Sequence, residues 1–133
     1  MPQWLITFSL LAVGGGVGAN ARYWTGRLVL RLQGTVEFPW ATFLINVVGS
    51  IILGFVAVAF MKHPDPAQRN WYLLLGTGFC GGFTTFSTFS FETLTLFQDG
   101  KPGLAVAYSL GSVAAGLLGV WCALKLAGAP HAG

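Results

Sequence analysis

The 133-residue sequence carries very little charge. Only 8% of its residues are Asp, Glu, Lys or Arg, whereas 54% are hydrophobic. A soluble domain normally has about 25% charged residues, so this chain has too few to cover a water-facing surface. The shortage of charge favours a protein whose solvent is the lipid bilayer. Its seven Lys and Arg residues are scattered and form no basic patch, so we expect no nucleic-acid partner.

The side chains that bind metals or carry out catalysis are also scarce. The two cysteines, Cys80 and Cys122, have no CxxC spacing, and we expect them to pack as small hydrophobic residues. The two histidines, His63 and His131, fall in a predicted loop and in the C-terminal tail. Because no nucleophile–base pair or metal-ligand set is visible, we do not expect an enzyme.

Four long segments contain no Asp, Glu, Lys or Arg. They run over residues 4–21, 38–61, 70–91 and 103–124, and each is close to the roughly 20 residues that cross a bilayer as a helix. The sequence therefore predicts an all-α membrane protein with four transmembrane helices. Residues 1–127 would form a single transmembrane domain, and residues 128–133 a short flexible tail. No basic residue precedes the first segment, which is expected to be a retained helix rather than a signal peptide.

The loops show almost no charge asymmetry. Four basic residues fall on the side of the first and third loops and three on the other: Arg22, Arg27, Arg31 and Lys101 against Lys62, Arg69 and Lys125. Orientation in a membrane follows the Lys/Arg bias of short loops, and this bias is minimal. Either the difference is noise, or the chain inserts in both directions. The second alternative makes an antiparallel homodimer natural.

The third segment combines glycine, hydroxyl residues and phenylalanine in GGFTTFSTFSFE, residues 81–92. Because each glycine weakens a helix by about 1 kcal/mol relative to alanine, we predict a helix break near Gly81–Gly82. Broken membrane helices build ion sites from freed carbonyls and half-helix N-termini. Phe86 and Phe89 fall on one face, where their ring edges carry partial positive charge. Phenylalanines at this spacing are also typical of ordinary packing, but the neighbouring hydroxyls favour an anion pathway.

Other polar residues repeat at helical spacing in the remaining segments. Asn46 follows Thr42 and precedes Ser50 at intervals of four, and it either bonds between helices or faces a wet cavity. Arg22 either extends to the headgroups or attracts anions into a vestibule. In the fourth segment, Tyr108 and Ser112 lie one turn apart, and their hydroxyls either bond to their own helix or join a polar path. Beside them, small residues at intervals of four favour close helix packing: Gly103, Ala107, Gly111, Ala115, Gly119 and Ala123.

The motif GFCGGFTTFSTFSFET, residues 78–93, resembles the signature of the CrcB/Fluc fluoride channels. Three other stretches are similar to the family and stand in the same order: GGGVGANARYW at residues 14–24, FPWATFLINVVGS at residues 38–50, and Tyr108 with Ser112. The resemblance covers essentially the whole chain. It implies a passive channel that exports fluoride, built as an antiparallel dual-topology homodimer with two pathways. It also implies a multi-pass protein of a bacterial plasma (inner) membrane.

The resemblance also implies roles for particular residues. Phe86 and Phe89 match the rings whose edges line the fluoride route, and Asn46 matches the pore asparagine. The remaining matches along a polar track are Thr42, Ser87, Thr88, Tyr108 and Ser112, with Glu92 near one mouth and Arg22 near the vestibule. The backbone carbonyls of Gly81 and Thr84, from both subunits, match the site of a structural Na⁺. Phe83 and Phe91 depart from the family pattern and are expected to narrow or reshape the track.

Two other functions are possible for a chain of this size and composition. A small proton-coupled multidrug transporter needs a carboxylate inside a span, whereas Glu92 falls at the edge of the third segment. A non-transporting membrane assembly subunit would use the small-residue ladder. It would have no use for the alternating hydroxyls and phenylalanines.

Overall fold

A computed structural model of the protein describes residues 1–61 and 65–128. This described part contains no β-strand and is made of five consecutive helices joined by short non-helical segments. They are α1 (Gln3–Gln33), α2 (Trp40–Val56, extended by a π-helical stretch, Ala57–Met61), α3 (Pro66–Trp71, then π-helical Tyr72–Cys80, then Gly81–Phe83), α4 (Phe86–Gln98) and α5 (Pro102–Leu126). The predicted C-terminal tail lies, except for Gly128, outside the described residues.

Three of these helices are long and apolar enough to cross a membrane: Gln3–Gln33, Trp40–Met61 and Pro102–Leu126. The predicted all-α, multi-pass membrane class is therefore confirmed. The third predicted span is not one helix, because α3 and α4 are separated by an extended stretch. The prediction of four crossings thus depends on α3 and α4 crossing the membrane together.

The helix break falls at Thr84 and Thr85, just after the glycine pair rather than at it. Gly81 is helical (φ −63°, ψ −37°), whereas Thr84 (φ −78°, ψ 162°) and Thr85 (φ −152°, ψ 117°) are extended. The Thr84 hydroxyl donates to the carbonyl oxygen of Cys80 (2.9 Å), and the Thr85 hydroxyl accepts from the N–H of Thr88. These two side chains provide the hydrogen bonds of helix ends, so the break needs no glycine.

The glycines instead allow α1 and α3 to pack backbone against backbone. A Cβ atom on Gly18 would overlap the carbonyl oxygen of Phe79, and one on Gly82 would overlap the carbonyl oxygen of Gly15. A Cβ atom on Gly14 would overlap the carbonyl oxygen of Leu74. Small residues at membrane helix interfaces permit this close approach. The glycine-rich stretch of α1 is therefore a packing surface.

The second main interface joins α2 and α5, and it uses only part of the predicted small-residue ladder. Gly119 and Ala123 are buried against Ile51 and Gly54 of α2. At the start of the helix, a Cβ atom added to Gly103 would meet no atom of another helix within 4 Å. The reason is geometric. A step of four residues advances about 40° around a helix with 3.6 residues per turn, so the ladder gradually leaves any one face.

Candidate functional site

The extended backbone at the break is held by one side chain. Asn46 of α2 accepts the N–H of Thr85 at Oδ1 (2.8 Å) and donates from Nδ2 to the carbonyl oxygen of the same residue (3.1 Å). Unpaired backbone groups at membrane depth are costly, and the amide supplies both missing partners. Asn46 thus does more than line a cavity, since it stabilises the conformation that separates α3 from α4.

A cluster of hydroxyls begins at Thr85 and continues into the first turn of α4. The Thr85 oxygen accepts from the backbone N–H of Thr88 (3.2 Å), which is the N-cap arrangement. The Thr85 hydroxyl also donates to Oγ1 of Thr88 (3.1 Å) and lies 3.3 Å from Oγ of Ser87. Thr85 was not among the matched pathway residues. The signal that could have identified it is a threonine directly before a helix start, which is typical of an N-cap residue.

Further hydroxyls on α4 are bonded within their own helix. Ser90 donates to the carbonyl oxygen of Phe86 (2.9 Å), and Thr93 donates to that of Phe89 (2.8 Å). Such back-bonding satisfies a hydroxyl locally and leaves it less available to a ligand. The structure therefore divides the hydroxyl-rich motif into a cluster at the break and a locally bonded remainder.

Glu92 lies inside the polar network. Its two carboxylate oxygens accept hydrogen bonds from different helices, one from the Thr42 hydroxyl of α2 (2.9 Å) and the other from the Tyr108 hydroxyl of α5 (2.7 Å). Thr42 and Tyr108 are buried, with 4% and 0% of their surfaces exposed. Three of the predicted track residues thus meet at one point and connect three helices.

Phe86 and Phe89 occupy adjacent positions on one side of α4. Their ring centroids lie 5.9 Å apart, and the Phe89 ring lies 5.2 Å from that of Tyr108. The side chain of Phe86 is largely exposed on the surface of the protomer (80%). Both rings line a cavity of about 480 Å³ together with Asn46, Ser50 and Thr85. We refer to it as the phenylalanine cavity.

Arg22 points into the protein rather than away from it. Its Nη1 donates to the carbonyl oxygen of Thr84 (3.2 Å). The Arg22 side chain therefore does not simply extend to the lipid headgroups, which was one of the two interpretations of its sequence position. Arg22 lines a second cavity of about 520 Å³ with Arg27, Thr42, Thr88 and Glu92, which we call the arginine cavity.

A third cavity, of about 280 Å³, lies on the other side of Glu92. Glu92 lines it with Phe91, and its wall also contains an ion pair between Lys101 and Glu37 (2.9 Å). The side-chain hydrogen bond with Glu37 raises the pKa of Lys101 above its ordinary value. This outer cavity ends the row of polar residues at the loops that follow α1 and α4.

The remaining predicted residues are less closely connected to the network. The Oγ atom of Ser112 is buried without a hydrogen-bond partner among the described residues, so it has bonding capacity to spare. Phe83 is a core residue (6% exposed) stacked on Phe79 at 5.7 Å, and it lines none of the three cavities. The Phe83 ring packs beside Gly49 of α2, and the expectation that it narrows or reshapes the track stays a prediction. Phe91 is 72% exposed and belongs to the outer cavity.

The carbonyl oxygens matched to a sodium site differ in their surroundings. In a continuous α-helix the N–H of Thr85 would bond to the carbonyl of Gly81, but here it donates to Asn46. The break thus releases the Gly81 carbonyl. The Thr84 carbonyl already accepts from Arg22, although a carbonyl oxygen has a second lone pair. Neutral oxygens suit a hard cation, and the donor set fits one in chemistry.

Comparison with known proteins places the chain in a family. The family model described as CrcB-like protein, Camphor Resistance (CrcB), matches residues 9–124. A protein of Novosphingobium aromaticivorans named fluoride-specific ion channel FluC is 44% identical over 119 residues, which is 89% of this chain and 93% of the relative. A protein of the same name from Gloeobacter violaceus is 46% identical over 84% of this chain and 88% of the relative. A protein of Streptomyces avermitilis named fluoride-specific ion channel FluC 1 is 46% identical over 88% of this chain and 95% of the relative. The chain belongs to the CrcB-like family, which is a family of ion channels and not of enzymes.

Proposed function

We propose that the protein is a fluoride-selective passive channel that exports fluoride from the cytoplasm. The observation that carries the proposal is the continuity of hydrogen-bond donors next to the phenylalanine rings. Asn46 and Thr85 lie in the same cavity as Phe86 and Phe89, and the hydroxyl cluster adjoins them. Fluoride is small and strongly hydrated, so a narrow pore must replace its water with close donors. Amide N–H groups, hydroxyls and positive ring edges supply such donors without a titratable partner.

The functional unit we propose is an antiparallel, dual-topology homodimer with two pathways. One protomer leaves Phe86 exposed, and the phenylalanine cavity opens on its outer surface. A second copy that covers this surface would complete each pathway and shield its polar groups from lipid. The near-equal distribution of basic residues between the loops supports insertion in both directions. Its partners are then a second copy, the bilayer and the fluoride ion, and its place is the plasma membrane of a bacterium.

A structural Na⁺ at the break is part of the proposal. Gly81 and Thr84 would hold it through their backbone carbonyls, with the same two residues of a second copy completing the shell, because two oxygens are too few for a hard cation. The ion would supply positive charge that stabilises the broken helices and would not be transported. Arg22 contributes charge at the same carbonyl of Thr84.

Fluoride efflux from liposomes tests the proposed function directly. Purified protein is reconstituted in vesicles loaded with potassium fluoride or potassium chloride. The potassium carrier valinomycin is added so that K⁺ leaves with the anion and charge stays balanced, and anion release is followed with ion-selective electrodes. Fast fluoride release without chloride release supports the channel. No fluoride release from folded, dimeric protein would contradict it and favour the assembly-subunit alternative.

The proton-coupled transporter is tested in the same vesicles, since Glu92 lies within the polar network rather than outside it. A pH gradient is imposed with fluoride absent, and substrate cations are added. A passive fluoride channel gives no gradient-driven cation uptake. Uptake of an organic cation at the expense of the proton gradient would instead assign Glu92 to proton transfer.

A further inference from the structure

Thr85 forms the partition between two cavities. It lines the phenylalanine cavity with Asn46 and Phe86, and it lines the arginine cavity with Arg22 and Thr88. Among the described residues, no other belongs to both linings. Its side chain is buried, with 7% of the residue exposed. The most direct route for an anion from one cavity to the other therefore leads past this residue.

The backbone of Thr85 is fixed at this position. Both its N–H and its carbonyl are bonded to Asn46, at 2.8 and 3.1 Å. The two bonds hold the peptide groups on either side of the Thr85 Cα atom. What remains free to change is the direction of the side-chain O–H bond.

The Thr85 hydroxyl can change its partner without losing the helix cap. Its oxygen accepts from the N–H of Thr88 (3.2 Å), while its hydrogen is directed to Oγ1 of Thr88 (3.1 Å), with Oγ of Ser87 close by (3.3 Å). A hydroxyl has one donor hydrogen and two acceptor lone pairs. Rotation of the hydrogen towards an anion therefore leaves the cap bond in place, and Thr88 and Ser87 can reorient their own hydroxyls.

We propose that Thr85 is a fluoride-binding residue that donates its O–H to the anion as fluoride passes between the arginine cavity and the phenylalanine cavity. This inference rests on the proposed channel function. The bond to the anion is charge-assisted and hence stronger than the bond between two neutral hydroxyls that it replaces. The exchange thereby offsets part of the cost of removing water from fluoride at the partition. The same hydroxyl would cap α4 and bind the permeating ion.

The primary test compares two threonines at the two ends of the hydroxyl-rich motif. Thr85→Val keeps the shape of the side chain and removes the hydroxyl. Thr93→Val is the matched control, because the Thr93 hydroxyl is bonded to the carbonyl of Phe89 and the residue lines none of the three cavities. We expect fluoride efflux from Thr85→Val liposomes to slow by about tenfold or more, the scale of a lost hydrogen bond to a charged group. Thr93→Val should transport close to the wild-type rate, and Thr85→Ser should restore transport because it keeps the hydroxyl.

A second pair of variants removes the ambiguity of a damaged helix cap. Valine cannot cap α4, whereas aspartate and asparagine are both strong N-cap residues. Thr85→Asp has no donor when ionised and places a negative charge in the anion's path, so it should block efflux while the dimer stays folded by gel filtration. Thr85→Asn keeps N–H donors and should transport faster than Thr85→Asp.

The outcomes separate this inference from the proposed function. Wild-type protein that releases no fluoride contradicts the channel itself. Wild-type transport that is matched by folded Thr85→Val or folded Thr85→Asp overturns the role of Thr85 and leaves the channel standing. Slow transport by Thr93→Val and Thr85→Val alike would also overturn it, because the effect would then not depend on the hydroxyl at the partition.

Discussion

At the scale of single residues, Asn46 combines a structural role in the protomer with the role proposed for it in the anion pathway. An amide carries a donor and an acceptor, and Asn46 uses both on the backbone of Thr85. One hydrogen of its Nδ2 group remains for the phenylalanine cavity, which the residue also lines. Its chemistry as an amide, rather than its size, is therefore the property that both roles require.

Replacement of Asn46 by aspartate tests this requirement. A carboxylate can still accept from the N–H of Thr85, but it repels the Thr85 carbonyl and brings negative charge into the cavity. We expect Asn46→Asp to reduce fluoride efflux to the level of empty liposomes. Asn20→Asp is a matched control, because the exposed Asn20 amide bonds only to the Gly16 carbonyl of its own helix. Normal efflux from Asn46→Asp would contradict the assignment of Asn46 as a donor to the anion.

Phe86 offers a second test at this scale, because its ring contributes little to the fold of one protomer. It is 80% exposed, and its main aromatic contact is with Phe89 at 5.9 Å. Phe86→Ile removes the positive ring edge but keeps a large apolar side chain. We expect sharply slower fluoride efflux with little loss of dimer on gel filtration. Phe97→Ile, at an exposed position of the same helix that lines none of the three cavities, should leave efflux nearly unchanged. Equal rates for wild type and Phe86→Ile would make the ring a packing residue.

At the scale of secondary structure, glycine is used for approach between helices. Gly18 lies where a Cβ would overlap the Phe79 carbonyl, whereas Gly16, on the same helix, has no neighbour within 4 Å. Gly18→Ala must therefore push α1 and α3 apart, and overpacking of this kind costs about 1–3 kcal/mol. Gly16→Ala should be neutral or stabilise by up to about 1 kcal/mol, because alanine is the better helix former. Thermal unfolding in detergent would measure both, and a Gly18→Ala variant as stable as wild type would contradict the backbone-to-backbone interface.

The break between α3 and α4 allows a prediction about sodium. The released Gly81 carbonyl and the Thr84 carbonyl are proposed to hold Na⁺ in the dimer, so sodium should bind the folded protein and not the unfolded chain. Such binding raises stability as the concentration of the ion increases. We expect the unfolding temperature of the wild-type dimer to fall when Na⁺ is replaced by N-methylglucamine at constant ionic strength. An unfolding temperature that is the same in both salts would argue against a structural sodium.

Sequence reasoning located these elements with unequal success, and the reasons are physical. Charge-free length identified the membrane segments, because lipid tolerates few charges. Sequence reasoning placed the break to within a few residues but gave the wrong reason for it. Gly81 and Gly82 can mean either a weak helix or a close contact with a neighbouring helix, and the structure shows that Gly82 makes such a contact with α1. The motif at residues 78–93 indicated Phe86 and the hydroxyls, and the stretch at residues 38–50 indicated Asn46. The connection of Glu92 to Thr42 and Tyr108 depends on three helices, so local pattern could not reveal it.

At the scale of the whole molecule, the surface of one protomer is incomplete for its solvent. A Cβ atom added to Gly103 or Gly111 of the small-residue ladder would meet no atom of another helix within 4 Å. Phe86 is exposed, and the phenylalanine cavity beside it is open at the surface. Lipid cannot satisfy polar groups, so this surface favours a protein neighbour. A second copy in the opposite orientation agrees with the four-to-three distribution of basic residues between the two sides.

The orientation of the chain in cells can be measured at its C-terminal end. Gly128→Cys places a thiol just beyond α5, in a background where Cys80 and Cys122 are replaced by alanine. With dual topology, a membrane-impermeant thiol reagent should label about half of the molecules in intact cells, because the positive-inside rule gives neither orientation an advantage. Lysines added to the loops beside Lys101, as Gln33→Lys and Asp99→Lys, should hold that side in the cytoplasm. Four crossings then place residue 128 outside the cell, so labelling should become nearly complete. Fluoride efflux from cells should be lost, because no copy inserted in the opposite orientation is present to form the dimer. Complete or absent labelling of Gly128→Cys in the protein with unaltered loops would show a single orientation and exclude the antiparallel dimer.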